Sequence, residues 1–235
     1  MLEGKEKTTV KGFLSTIPQK KRKTITAVCV DMCDNYIHAV KEILSTDIPI
    51  IVDRFHVAKL YRKSITKLRS DELKKLRKQL SEEDYRALAP AIKILIRKNE
   101  CYTAKEKKIL VLLFKHSPAI KAAYRLAREF THIYNSHHRK KTAKRKINDW
   151  IEKVEESDVS CLSTFIKTAT KYKDHISHYF IRRETSGWLE GINNKVKVIK
   201  RRCYGITNLK HFFQRIFLDL QGYDMFLNKQ PVTAI

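Results

Sequence analysis

The chain has 235 residues, enough to bury a full core as one large domain or as a domain carrying an insertion. Lys and Arg number 49 against 25 Asp and Glu, a formal charge of +24 that exceeds what solubility requires and points to a polyanionic partner. No stretch approaches the roughly 20 apolar residues of a membrane-spanning helix, and no apolar segment follows Met1, so composition argues against a membrane protein and for a cytosolic one.

Six glycines and five prolines are few for an all-β chain with many tight turns, so helix is expected to dominate. The five cysteines, Cys29, Cys33, Cys101, Cys161 and Cys203, are scattered and form no C-x-x-C pair. They read as reduced and mostly structural.

Val10, Phe13, Leu14 and Ile17 fall at helical spacing, and Pro18 with the basic run Lys20 to Lys23 then turns the chain into a loop. Thr24 to Val30 is β-branched and nearly continuously apolar, the pattern of a strand buried on both faces of a parallel sheet, and it ends at Asp31. Asp34 or Asn35 can cap a helix with apolar positions Tyr36, Ile37, Val40, Ile43 and Leu44. Pro49 to Val52 makes a second strand, which ends at Asp53. This strand-helix-strand unit puts two carboxylates at strand C-terminal ends, where open α/β sheets place their ligands.

After Phe55 the pattern is helical to about Phe180: Val57 to Gln79, Glu82 to Lys98, Ala104 to Lys115, Pro118 to Asn135, Ala143 to Glu155 and Ser160 to Tyr172. Arg139, Lys140, Lys141, Lys144, Arg145 and Lys146 form a run without an acid, readable either as a solvated face or as part of a DNA surface. Two strands are too few for a stable sheet without neighbours or helical cover, so more of the sheet is expected elsewhere.

Thr185 to Asn194 leads into a helix to about Arg202, with Leu189, Ile192, Val196, Ile199 and Cys203 on one stripe and Glu190, Asn194, Lys197 and Arg201 opposite. A carboxylate among cations suits a metal held beside a phosphate backbone. Glu190 could equally complement the helix dipole or pair with Arg182 or Arg183, Asp31 could be a plain loop carboxylate, and Asp53 could cap the following helix.

Three segments together resemble bacterial insertion-sequence transposases of the DDE class, in particular the ISL group. They are Val30-Asp31-Met32 with Tyr36, the block Ile51-Val52-Asp53-Arg54-Phe55-His56-Val57, and Thr185 through Lys200-Arg201-Arg202-Cys203-Tyr204-Gly205. The resemblance runs over essentially the whole chain; Ser186 stands where that family usually has Asn.

The resemblance implies an α+β, predominantly α fold: a partial RNase-H-like core over 1–58, a helical insertion over 59–180, and C-terminal catalytic-core helices over 181–235. It assigns Asp31 as the second acid, Asp53 and His56 as a D-x-x-H pair, and Glu190 as the last acid. The implied activity is DNA transposition: in-line attack on a phosphodiester by water and then by a freed 3′-hydroxyl, with two Mg²⁺ or Mn²⁺ ions roughly 4 Å apart. Asp31 and Glu190 would be metal ligands, and His56 an orienting residue, a DNA-side residue or a satisfied structural histidine. Lys197, Lys200, Arg201, Arg202 and Asn194 would meet DNA; Trp188 would stack on an unpaired base or else anchor the helix start.

The family's first aspartate lies on an earlier strand. Upstream of Asp31 the only acids are Glu3 and Glu6, neither in a strand pattern, so the chain is expected to be an N-terminally truncated piece, inactive alone. The implied partners are DNA, at transposon ends and target, and further copies of the chain, in the bacterial cytosol at the nucleoid. The competing reading is a non-catalytic, basic helical DNA-binding protein.

Overall fold

The computed structural model describes residues 4–97 and 101–227, so Glu3 and the end of the helix expected to reach Lys98 lie outside the described residues. It is predominantly helical with one small sheet, in the following order. Helices α1 (Lys7–Thr16) and α2 (Gln19–Arg22) precede β1 (Val28–Val30), α3 (Asp34–Ile43) and β2 (Ile50–Val52). Then come α4 (Arg54–Gln79), α5 (Glu82–Leu88), α6 (Ala91–Ile96), α7 (Ala104–His116), α8 (Pro118–Asn135) and α9 (Lys140–Glu155). A single 3-10 turn (Ser160–Leu162) leads into α10 (Ser163–Arg182), followed by α11 (Gly187–Arg202) and α12 (Leu209–Leu227).

Several boundaries differ from the sequence reading, each for a local reason. The basic run after Pro18 forms the short α2, closed by the Arg22 guanidinium on the Ile17 carbonyl at 2.7 Å. The strand expected from Thr24 is ordered as strand only over Val28–Val30, matching the three residues of its partner β2. Neither Asp34 nor Asn35 caps α3: Cys33 holds that position, Asp34 is engaged by Lys171 and Tyr172, and Asn35 donates to the Lys5 carbonyl at 3.1 Å. The single helix expected from Glu82 is broken at Pro90, which lacks the N–H that a helix interior needs.

The chain divides into two compact units, Met1–Thr185 and Ser186–Ile235. In the first, β1 and β2 pair in parallel with Val28 opposite Ile50, Cys29 opposite Ile51 and Val30 opposite Val52. Helices supply the cover that two strands lack. The main core gathers β2, the first turns of α4, and α8, α9 and α10 around an aromatic cluster. Phe130 lies at its centre, edge-on to Tyr61, Tyr134 and Phe165 and tilted over Trp150 at 4.5 Å between centroids. The Trp150 indole N–H, which burial would otherwise orphan, donates to the Leu126 carbonyl at 2.9 Å.

A smaller core of Leu73, Leu76, Leu88, Leu110, Leu113 and Ile120 joins the distal half of α4 to α5, α6, α7 and the start of α8. Helix α10 lies against β2, and His178 Nδ1 meets the Ile50 carbonyl at 2.8 Å. Val28 N–H donates to the Pro49 carbonyl and Asp53 N–H to the Val30 carbonyl, so the amide groups of Ile50 face away from β1. His178 therefore satisfies one outward carbonyl of β2. Helix α10 ends on Arg183, which adopts the left-handed conformation at φ 59°. Two bonds from its guanidinium, to the Tyr134 and Ser136 carbonyls at 2.9 and 2.6 Å, offset that strain.

In the second unit α11 and α12 pack together. Ile199 and Phe212 are buried, and Lys195 reaches the Asp219 carbonyl at 2.7 Å. Of the apolar stripe expected on α11, Ile199 is the buried member, Ile192, Val196 and Cys203 are half-buried, and Leu189 is exposed.

Candidate active site

The parallel register fixes the first part of the site. Because Val30 lies opposite Val52, the next residues, Asp31 and Asp53, leave the sheet side by side at its carboxyl end. Their environments then diverge. Asp53 is 2 % exposed, and its Oδ1 accepts the Phe55 N–H at 3.0 Å, capping α4. Its side chain thus takes up the capping role considered from sequence. Asp31 stays at the surface, with 46 % of its side chain exposed.

Capping by Asp53 sets the first turn of α4 and with it His56. The His56 Nδ1 lies 2.9 Å from Asp31 Oδ1, the same oxygen that accepts the Met32 N–H at 2.7 Å. A carboxylate oxygen only accepts, so the imidazole carries its proton on Nδ1. Two donors thus fix Asp31 through one oxygen and leave Oδ2 without a partner among the described residues. The His56 side chain thus reaches the acid that follows the neighbouring strand.

Arg54, between the cap and the histidine, was quoted from sequence without a role. Its guanidinium donates to Asn135 Oδ1 and to the Tyr179 hydroxyl at 3.4 Å, and it lies 5.5 Å from the Tyr134 ring centroid. Burial first, opposed by the nearby Arg54 charge, drives the Tyr134 hydroxyl far above the usual phenol range. Asn135 and Tyr179 stand 81 and 125 residues from Arg54, and no local pattern announces such partners. Beside the site, Asp34 is held below the usual carboxylate range by hydrogen bonds from Lys171 and then Tyr172.

The remaining residues singled out from sequence belong to the second unit. Glu190 is half-buried in the first turn of α11, its N–H donating to the Ser186 carbonyl at 2.9 Å. Trp188 is 79 % exposed. Asn194, Lys197, Lys200, Arg201 and Arg202 are exposed along α11, with Lys197 Nζ 3.4 Å from Asn194 Oδ1. In the first unit, Arg182 and Arg183 are engaged by Thr26, Glu184 and the Tyr134 and Ser136 carbonyls.

Asp31 offers oxygen to a hard cation such as Mg²⁺ or Mn²⁺. One free oxygen is not a complete donor set, and among the described residues no group of three or more His, Cys, Asp or Glu is arranged to hold a metal. The described residues also include no helix long and apolar enough to cross a membrane.

Two parallel strands deliver an exposed aspartate and a helix-borne histidine to one end of a small sheet inside a strongly basic helical chain, and comparison with known families places the chain among the DDE-type transposases. The chain belongs to the ISL3 group of that class, whose family model, described as transposase, matches residues 1–216. It is 28% identical over 214 residues to the transposase for insertion sequence element IS1001 of Bordetella parapertussis. That match covers 91% of this chain and 52% of the relative, so the chain spans about half the length of the curated relative it matches. No solved structure matches it.

Proposed function

We propose that this chain supplies acidic residues of an RNase-H-like transposase core and acts on DNA, at transposon ends and target, in the bacterial cytosol. The reaction is metal-dependent phosphodiester hydrolysis followed by strand transfer. The observation that supports this reading best is the Asp31–His56 pair at the carboxyl end of two parallel strands. Asp31 and Glu190 are the metal ligands, His56 orients Asp31, and Asp53 positions His56 by starting α4. A ligand already fixed by two donors needs little reorganisation when a cation arrives. Bound Mg²⁺ or Mn²⁺ would supply activation of the nucleophile and stabilisation of the leaving oxygen.

Lys197, Lys200, Arg201, Arg202 and Asn194 hold the DNA backbone, and Trp188, exposed at the start of α11, stacks on an unpaired base. The enzyme works as an oligomer of identical chains.

The donor count favours a second reading for the chain taken alone, DNA binding without cleavage, since Asp31 brings a single free oxygen and no metal-binding cluster occurs among the described residues. Purified chain incubated with transposon-end DNA and Mn²⁺ tests both. The expected result is retention of DNA without nicking; nicking that Glu190→Gln abolishes would overturn the inactivity. Titration with Mn²⁺ tests the ligands separately, because Asp31→Asn and Glu190→Gln should each weaken binding. Unchanged Mn²⁺ affinity in both variants would remove their assignment.

A further inference from the structure

Helix α9 carries its charges in the order a helix disfavours. Lys140, Lys141, Lys144, Arg145 and Lys146 occupy its N-terminal half, while Asp149, Glu152 and Glu155 follow toward its C-terminus. The N-terminal end of a helix dipole is positive, so cations there and acids at the far end both cost stability. Packing does not demand this order, because the face that α9 buries is Ala143, Ile147, Trp150, Ile151 and Val154. The helix also starts without a side-chain cap or an acid in its first turn, which adds free N–H groups to the same end.

Little inside the protein answers these charges. Lys144 pairs with Asp174, whereas Arg139, Lys140, Lys141, Arg145 and Lys146 make no ion pair among the described residues. The positive surface continues onto two other elements. Arg183, at the end of α10, is held against the loop before α9 by the Tyr134 and Ser136 carbonyls. Between them lies His138, its Nε2 buried without a partner. Burial, and after it Lys146, His132, Arg183 and His137, push this imidazole below its usual range, so it sits in a crowd of cations.

We propose that the first two turns of α9, the loop before them and Arg183 form a binding surface for the phosphate backbone of duplex DNA, in addition to the cations of α11. The inference rests on the reading that the chain acts on DNA, and it adds a site that the carboxylates do not involve. Lys141 and Arg145 stand one turn apart, about 6 Å along the helix, a distance that spans no more than two backbone charges of one strand. Beside His137, the exposed side chains there are the cations Arg139, Lys140, Lys141 and Arg145, with no Asn or Gln to read base edges, so the contact is largely independent of sequence.

The test is fluorescence anisotropy of the full chain with a duplex of arbitrary sequence, titrated between about 50 and 200 mM NaCl. The variant Lys140→Gln/Lys141→Gln/Arg145→Gln is compared with a control of equal charge, Lys67→Gln/Lys74→Gln/Lys78→Gln, on exposed positions of α4. The α9 variant should lower the slope of log K against log salt by about 2 to 3, roughly 0.9 for each lost phosphate contact, and the control by less than about 1. Its thermal midpoint should be unchanged or higher, since cations leave the positive end of the helix; this separates lost binding from lost folding. Equal effects of the two variants, or no effect of the first, would overturn the proposal while leaving the DNA reading intact. Wild-type chain that binds no duplex would instead defeat the DNA reading itself. Anionic phospholipid vesicles captured through the same lysines, with no loss of duplex binding, would also overturn the α9 site.

Discussion

His56 Nδ1 lies 2.9 Å from Oδ1 of Asp31, which follows the neighbouring strand, although Asp53 is only three residues away in sequence. The two acids at the end of the sheet therefore have different tasks. Asp53 builds the helix that presents the histidine, and the histidine steadies Asp31.

This division predicts opposite outcomes for two changes at Asp53. Asn retains an oxygen that can accept the Phe55 N–H, so Asp53→Asn should unfold in urea close to the wild type. Asp53→Ala loses the cap and should cost about 1 kcal/mol, within a range of roughly 0.5–2. Equal midpoints for Asn and Ala would show that the cap contributes nothing.

Arg54 should tolerate no substitution by lysine. Its planar group serves the Asn135 amide oxygen and the Tyr179 hydroxyl while facing the Tyr134 ring, a geometry that an ammonium cannot reproduce. Arg54→Lys is expected to destabilise the first unit by about 1–3 kcal/mol, the scale of a charge-assisted hydrogen bond lost at a partly buried position. Urea unfolding followed by circular dichroism measures it, and a loss below about 0.3 kcal/mol would show the interactions to be incidental.

Phe130, fully buried between Tyr61, Tyr134, Trp150 and Phe165, is expected to be the most costly aromatic to truncate. Phe130→Ala should cost about 3–5 kcal/mol through lost burial and the cavity left behind. Thermal or urea denaturation would reveal the loss, and a cost under about 1 kcal/mol would mean that the cluster collapses around the gap.

The start of α7 should be acid-sensitive. Hydrogen bonds from Arg97, and after it from the Thr103 backbone, lower the Glu106 carboxyl from 4.5 to about 2. Thr103 and Glu106 also form a reciprocal cap. A carboxylate with a depressed pKa contributes stability that is present in full above the unfolded value of 4.5 and is lost as pH falls through about 2. Wild type should thus exceed Glu106→Gln in thermal midpoint at neutral pH, and the gap should close toward pH 2. A gap that does not change with pH would rule out the ionised cap.

Local chemistry made much of this molecule legible. Pro118 after Ser117 marks the start of α8, and its periodic apolar positions carry it to Asn135 as expected. The apolar runs ending at Asp31 and Asp53 gave the two strands and their parallel pairing. What sequence could not supply was any relation that depends on a side chain's direction or on distant partners. Sequence left His56 as an orienting residue, a DNA-side residue or a structural histidine, and its 2.9 Å approach to Asp31 depends on a side-chain direction that spacing does not report. Asn135 and Tyr179, which hold Arg54, lie on helices whose periodicity reports only their buried faces. Trp188 carried two readings from sequence, stacking on a base or anchoring the helix start, and exposure alone does not choose between them. The charge order of α9 was visible throughout, but its significance emerged only once its buried face and the scarcity of ion pairs were known.

The bond from His178 to the Ile50 carbonyl bears on how the chain is made. Its ends are 128 residues apart, so at roughly 5–20 residues per second a ribosome needs on the order of ten seconds to deliver the helix that closes this edge. Throughout that interval a short, wholly apolar strand has its outward amide groups facing water and any neighbouring nascent chain, a template for unwanted pairing. Newly made protein is therefore most vulnerable to aggregation before α10 emerges, and chains that stop short of it should accumulate as insoluble material.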